Sequence, residues 1–121
     1  MQSVLRPFLA SLLAASAALA ETGAVLLPDG FDGAYAPDGA VCEGLSVITI
    51  AEGVMVGAEF AISVTDLIED PVNPRKVEAT LLNSGGGAEW TDSAVLELSE
   101  DGTRLTFDYP DGSQVVWLRC A

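Results

Sequence analysis

Asp-Gly occurs five times between residues 29 and 112, at Asp29-Gly30, Asp32-Gly33, Asp38-Gly39, Asp101-Gly102 and Asp111-Gly112. Gly adopts positive φ freely and Asp tolerates it, so the pair suits tight reversals of an extended chain. Glu52-Gly53 reads as a further turn. The segments between these turns are short, β-branched and alternating. Gly33-Ala34-Tyr35-Ala36 is a short first strand, and Leu45 to Ala51 and Val54 to Val56 form a hairpin around Glu52-Gly53. Glu59 to Leu67 places Phe60, Ile62 and Val64 on one face. Lys76 to Leu82 turns Val77, Ala79 and Leu81 inward. Ala94 to Ser99 does the same with Leu96 and Leu98, and Arg104 to Tyr109 with Leu105, Phe107 and Tyr109. Gln114 to Cys120 reads with Val116, Leu118 and Cys120 on the core side, which leaves Trp117 for the outer face.

No stretch after residue 21 keeps a 3.6-residue apolar spacing for three turns, so helices are not expected. About eight strands with short links in sequence order predict an all-β fold, a small antiparallel meander that closes into a barrel and so removes its edges. A two-sheet sandwich shares these local signals and is the alternative. Two connections differ from the rest. Ile68 to Arg75 contains Pro71 and Pro74 and cannot be a regular strand interior. Asn83 to Thr91 contains three consecutive glycines and reads as a mobile or tightly bent loop.

The N-terminus has the layout of a cleavable export signal over residues 1–20. Arg6 supplies a positive n-region, Phe8 to Ala20 is an uncharged apolar run, and Ala18-Leu19-Ala20 offers small residues at −3 and −1. The run of 13 residues falls short of the roughly 20 that span a bilayer, so no stable membrane anchor is expected. Residues 21–121 then form a single domain in the periplasm or outside the cell. In an oxidising compartment the isolated pair Cys42 and Cys120 is expected to form one disulfide.

The chain has 18 acidic and 5 basic residues, a net charge of −13. Loss of residues 1–20 removes only Arg6 among the charged side chains. Such a surface repels nucleic acid and anionic membrane, favours a cationic protein partner, and keeps a small domain soluble and monomeric.

There is no His in the chain, which excludes His-dependent nucleophilic systems and His/Cys zinc sites. Asp29 to Gly33 lacks the ligand spacing of a calcium loop, and Gly85-Gly86-Gly87 lacks the Lys of a phosphate loop. No local spacing singles out a carboxylate pair. The reading is therefore a non-enzymatic protein with no catalytic residues, no metal and no cofactor. Trp90, beside the glycines, is either an exposed anchor for a partner or a lid over one barrel end.

An early Cys, short strands, a Ser-Gly loop, a late Asp-Gly hairpin and a final Cys together resemble the periplasmic C-type lysozyme inhibitors. These are small disulfide-closed β-barrels whose Ser-Gly-x-x-Tyr loop enters the cationic enzyme's cleft. The matching stretch is Ser84-Gly85-Gly86-Gly87-Ala88, with Ala88 at the Tyr position and Trp90 two residues later. The resemblance implies partner binding through Ser84 and Gly85, with Trp90 as stand-in for the Tyr. Gly33-Ala34-Tyr35 is similar to the Gly-x-Trp that opens lipocalin barrels, which offers a small apolar-ligand carrier as an alternative function. A structural component of the envelope is a third.

Overall fold

The computed structural model describes residues 24–121; the expected export signal at residues 1–20 lies outside them. Eight strands follow in order: β1 (Gly33–Pro37), β2 (Ile48–Ala51), β3 (Val54–Val56), β4 (Phe60–Glu69), β5 (Lys76–Gly85), β6 (Ala88–Leu98), β7 (Arg104–Asp108) and β8 (Gln114–Arg119). Each pairs antiparallel with the next, and β1 pairs with β8 through Tyr35↔Arg119, Ala36↔Leu118 and Pro37↔Trp117, which closes the barrel. The meander barrel is thus the fold, and the sandwich is set aside. One short 3-10 turn, Gly44–Ser46, precedes β2.

The period-two alternation sorts side chains as the sequence indicates. Ile62, Val64, Val77, Ala79, Leu81, Leu96, Leu98, Leu105 and Phe107 are all buried, joined by Phe31, Tyr35, Ile48, Ile50 and Met55. An eight-stranded barrel has an interior just wide enough for side chains to fill, and here bulky residues fill it. Phe60 and Tyr109 are only half-buried and pack at its margin.

The phase of β8 is the reverse of that expected. Trp117 is 6% exposed and belongs to the core, 4.6 Å from the Phe107 ring and 6.3 Å from Phe60 between centroids. Val116 and Leu118 are only half-buried. The indole is the largest side chain of β8, so turning it inward removes the most apolar surface from water. The same phase turns Arg119 inward at the opposite end. Its guanidinium lies 4.8 Å from the centroid of the Tyr35 ring. It donates to the Tyr35 hydroxyl at 2.8 Å and to the carbonyls of Asp32 at 2.9 Å, Gly102 at 2.7 Å and Gly30. One side chain thereby ties the segment before β1 to the β6–β7 turn. Burial pushes the Tyr35 hydroxyl above the usual phenol range, an effect opposed by Arg119 and reinforced by Asp32.

Four of the five Asp-Gly pairs lie in turns: Phe31, Ala40, Gly102 and Gly112 donate their N–H to the carbonyls of Pro28, Pro37, Ser99 and Tyr109. Asp32-Gly33 does not. Gly33 opens β1 with φ +148, and a Cβ there would collide with the Arg119 guanidinium. The reversal expected at that position is displaced by the need to admit Arg119.

In the β6–β7 turn, the Asp101 carboxylate accepts from the Ser99 and Thr103 hydroxyls at 2.7 Å each and from the Thr103 N–H at 3.1 Å. The Thr103 and Ser99 hydroxyl bonds, in that order, lower its pKa from 3.8 to about 2. A depressed folded-state value contributes stability above the unfolded value, and that stability is lost as pH falls from about 3.8 toward 2. We expect the Asp101 carboxyl carbon in an NMR titration to show its midpoint near 2. A midpoint near 3.8 would mean that the turn does not hold the carboxylate.

The glycine-rich stretch is not the loop expected over Asn83 to Thr91. β5 continues to Gly85 and β6 begins at Ala88, so only Gly86 and Gly87 lie outside the strands. Their φ values, +60 and +80, are those of a two-residue mirror-image turn, whose twist matches the right-handed twist of the flanking strands. A branched side chain at Gly86 should cost about 1–2 kcal/mol, whereas Asn tolerates this conformation. Thermal denaturation is expected to show a lower midpoint for Gly86→Val and a nearly unchanged one for Gly86→Asn. Equal midpoints would argue against the tight turn.

Candidate functional site

The barrel is built of strands of unequal length, and this inequality shapes its surface. β5 and β6 stay paired over ten residues each, from Lys76↔Glu97 to Gly85↔Ala88. β7 meets β6 only from Val95 to Leu98. Ala88 to Ala94 of β6 therefore run on past the end of β7, while β5 stays paired with β4 as far as Phe60↔Gly85, so this stretch is the free edge of a longer β4–β5–β6 wall that ends in the β5–β6 hairpin turn.

All three sequence-selected binding residues lie on this hairpin, but not on one face. Residues paired directly across an antiparallel ladder share a face. Ser84 pairs with Glu89, and both are exposed on the outer face. Gly85, beside the turn, packs close to Glu59 and Phe60 of the neighbouring segment. Trp90 pairs with Asn83, which continues the inward series Val77, Ala79, Leu81. The indole therefore stands on the inner face of the sheet, near its hairpin end, and is 49% exposed. About half of the indole surface is thus open to solvent.

The indole is held in place. Trp90 Nε1 donates to Asp92 Oδ2 at 3.2 Å. The same oxygen accepts from Asn83 Nδ2 at 3.1 Å, and Asn83 Nδ2 also approaches the Trp90 carbonyl at 3.4 Å. Asn83 is 7% exposed and is the buried polar side chain of the described core; it makes the hydrogen bonds that a buried amide requires. The sequence reading missed Asn83 and Asp92. Two signals were present: Asn83 lies in phase with Leu81, and Asp92 lies two residues from Trp90 and so on its face.

Aromatic rings run across the interior from Phe60 to Trp117 to Phe107 to Tyr109, the last two stacked at 6.5 Å. Burial, and secondarily the charge of Asp92, push the Tyr109 hydroxyl above its ordinary pKa. The four basic residues of the described chain, Arg75, Lys76, Arg104 and Arg119, stand at or beyond the β7 N-terminal end of the barrel, away from the hairpin.

Cys42 and Cys120 are bonded, with Cα atoms 5.6 Å apart. The pair joins the segment between β1 and β2 to the chain just past β8, and is compatible with an oxidising compartment. Among the described residues no three acidic or Cys side chains converge as metal ligands would.

No protein-family model, no curated protein and no solved structure matches the chain.

Proposed function

We propose that this protein is an exported, non-enzymatic binding module that engages a cationic protein through the β5–β6 hairpin, and that its partner is a hydrolase with an open cleft, such as a C-type lysozyme. The observation that carries this reading is Trp90: a half-exposed indole, pinned by Asp92, on the part of β6 that runs past the end of β7. Rigid, partly exposed aromatics of this kind act as interface anchors because they bury a large area at small cost in rotamer entropy. The charge of −13 favours encounter with a positively charged partner and accelerates it at low salt. The export signal read in residues 1–20 and the disulfide both accord with action outside the cytoplasm. The filled interior supports recognition at the surface over carriage of a ligand inside.

Inhibition of a C-type lysozyme by the purified protein tests this. Trp90→Ala should weaken inhibition about tenfold or more, as loss of a central aromatic anchor does, and Ser84→Ala should weaken it less. If neither substitution changes the inhibition, the hairpin is not the site. If the unaltered protein does not inhibit, the partner class is wrong.

A further inference from the structure

We propose that the outer edge of β6 from Glu89 to Ser93 is a docking site for an extended, lysine- or arginine-bearing segment of a partner protein, which adds to the barrel as a further strand. This does not depend on what the hairpin tip binds.

The edge follows from the register. Gly86 and Gly87 form a two-residue turn, so Gly85 and Ala88 are a hydrogen-bonded pair, and such pairs recur at every second residue. In β6, Ala88, Trp90, Asp92 and Ala94 direct their backbone groups to β5. Glu89, Thr91, Ser93, Val95 and Glu97 direct theirs the other way, toward β7. Val95 and Glu97 find Asp108 and Thr106 there, and Ser99 continues the pattern by donating its N–H to the Arg104 carbonyl at 2.8 Å. Past Asp108 the chain leaves the β6 ladder: Tyr109 faces β8 and donates its N–H to the Ser113 carbonyl, and the next residue on the β6 side is Pro110, which has no N–H to offer. Among the described residues no strand lies opposite Glu89, Thr91 and Ser93 on that side. A barrel that is closed by topology thus keeps an open edge of about five residues here, roughly 17 Å of strand.

The space beside this edge is a notch of about 580 Å³ between β6 and the β7–β8 turn, lined among others by Thr91, Asp92, Ser93, Tyr109, Asp111 and Val115. It adjoins a second groove of about 400 Å³ that shares Ser93, Tyr109 and Pro110 with it and adds Asp66, Glu78 and Asp108 around Ile68 and Val95. Neither is lined by a basic residue. Five carboxylates border the two grooves, whose apolar residues are Ile68 and Val95 on the outer face of the sheet and Tyr109 and Val115 on the inner face. An exposed edge of this kind attracts strand addition. Main-chain hydrogen bonds supply affinity there, and alternate side chains supply specificity. The carboxylates select positive side chains on that strand and oppose pairing of β6 with a second copy of this acidic chain.

The test uses the isotopically labelled protein and a hexapeptide of alternating lysine and valine. Its addition should slow amide hydrogen exchange at Thr91 and Ser93 by tenfold or more. The same peptide methylated on alternate backbone nitrogens keeps its charge but cannot complete the ladder, so it should bind at least tenfold more weakly. A peptide of alternating glutamate and valine should not bind. Equal binding of the methylated peptide would reduce the effect to surface charge and overturn the proposal. So would binding of the acidic peptide, or absence of protection at Thr91 and Ser93. Concentration-dependent protection of these amides without peptide would assign the edge to a second copy and likewise overturn it.

Discussion

Phe107→Ala is expected to destabilise the protein by about 4 kcal/mol, the range found when a buried phenylalanine is removed without collapse of the surrounding core. Phe107 is 1% exposed and lies against both Trp117 and Tyr109. Its neighbours are fixed on strands of a closed ladder and cannot move inward independently, so little of the cavity can be recovered. The barrel also has one small core, and a domain of this length has only about 5–15 kcal/mol in total. Chemical denaturation should therefore show a large fall in midpoint for Phe107→Ala and a modest one for Phe107→Leu. A loss below about 1 kcal/mol for the alanine variant would mean that Phe107 and Trp117 do not meet inside the barrel.

Reduction of the Cys42–Cys120 bond should have an effect of comparable size. The two residues are 78 apart in sequence, and in the loop-entropy account a cross-link over such a span stabilises by about 4 to 4.5 kcal/mol by restricting the unfolded chain. The bond also fastens the β1–β2 connection, which carries the exposed Val41 and Leu45, to the chain directly after the closing strand. Cys42→Ser with Cys120→Ser should lower the denaturation midpoint by a corresponding amount while leaving the far-ultraviolet spectrum of a β protein. If the variant is as stable as the oxidised protein, the two cysteines are not joined in the native state.

Those two expectations draw on different levels of the sequence. The inward series Val77, Ala79, Leu81 and Leu105, Phe107 alternates with charged or hydroxyl residues, so both the strands and their buried faces were legible. β8 was not, because Val115 to Leu118 is apolar without interruption and period two has no phase in such a run. There the packing of Trp117 on Phe107, together with the acceptors offered to Arg119, selects one phase over the other. The glycine triplet misled for a related reason. Local preference reads Gly85 to Gly87 as loop, but the ladder with β4 and β6 holds Gly85 in a strand and leaves only two residues to turn.

The candidate site was half visible. Ser84, Gly85 and Trp90 could be placed together in one glycine-rich connection, yet its form as a hairpin and their separation onto opposite faces depend on the register Ser84↔Glu89 and Asn83↔Trp90. The open edge of β6 was not legible at all. It arises from a difference in length between β6 and β7, and strand ends are set by how far a neighbour continues, which no single segment records.

The most direct test of the account is an NMR titration of the labelled protein with a C-type lysozyme at low salt, following backbone amides. Shifts and broadening concentrated from Asn83 to Asp92, with the Trp90 indole N–H among the most affected, are expected if the β5–β6 hairpin is the binding element. Perturbation confined to the opposite end, around Tyr35, Gly102 and Arg119, or no perturbation at all, would contradict it.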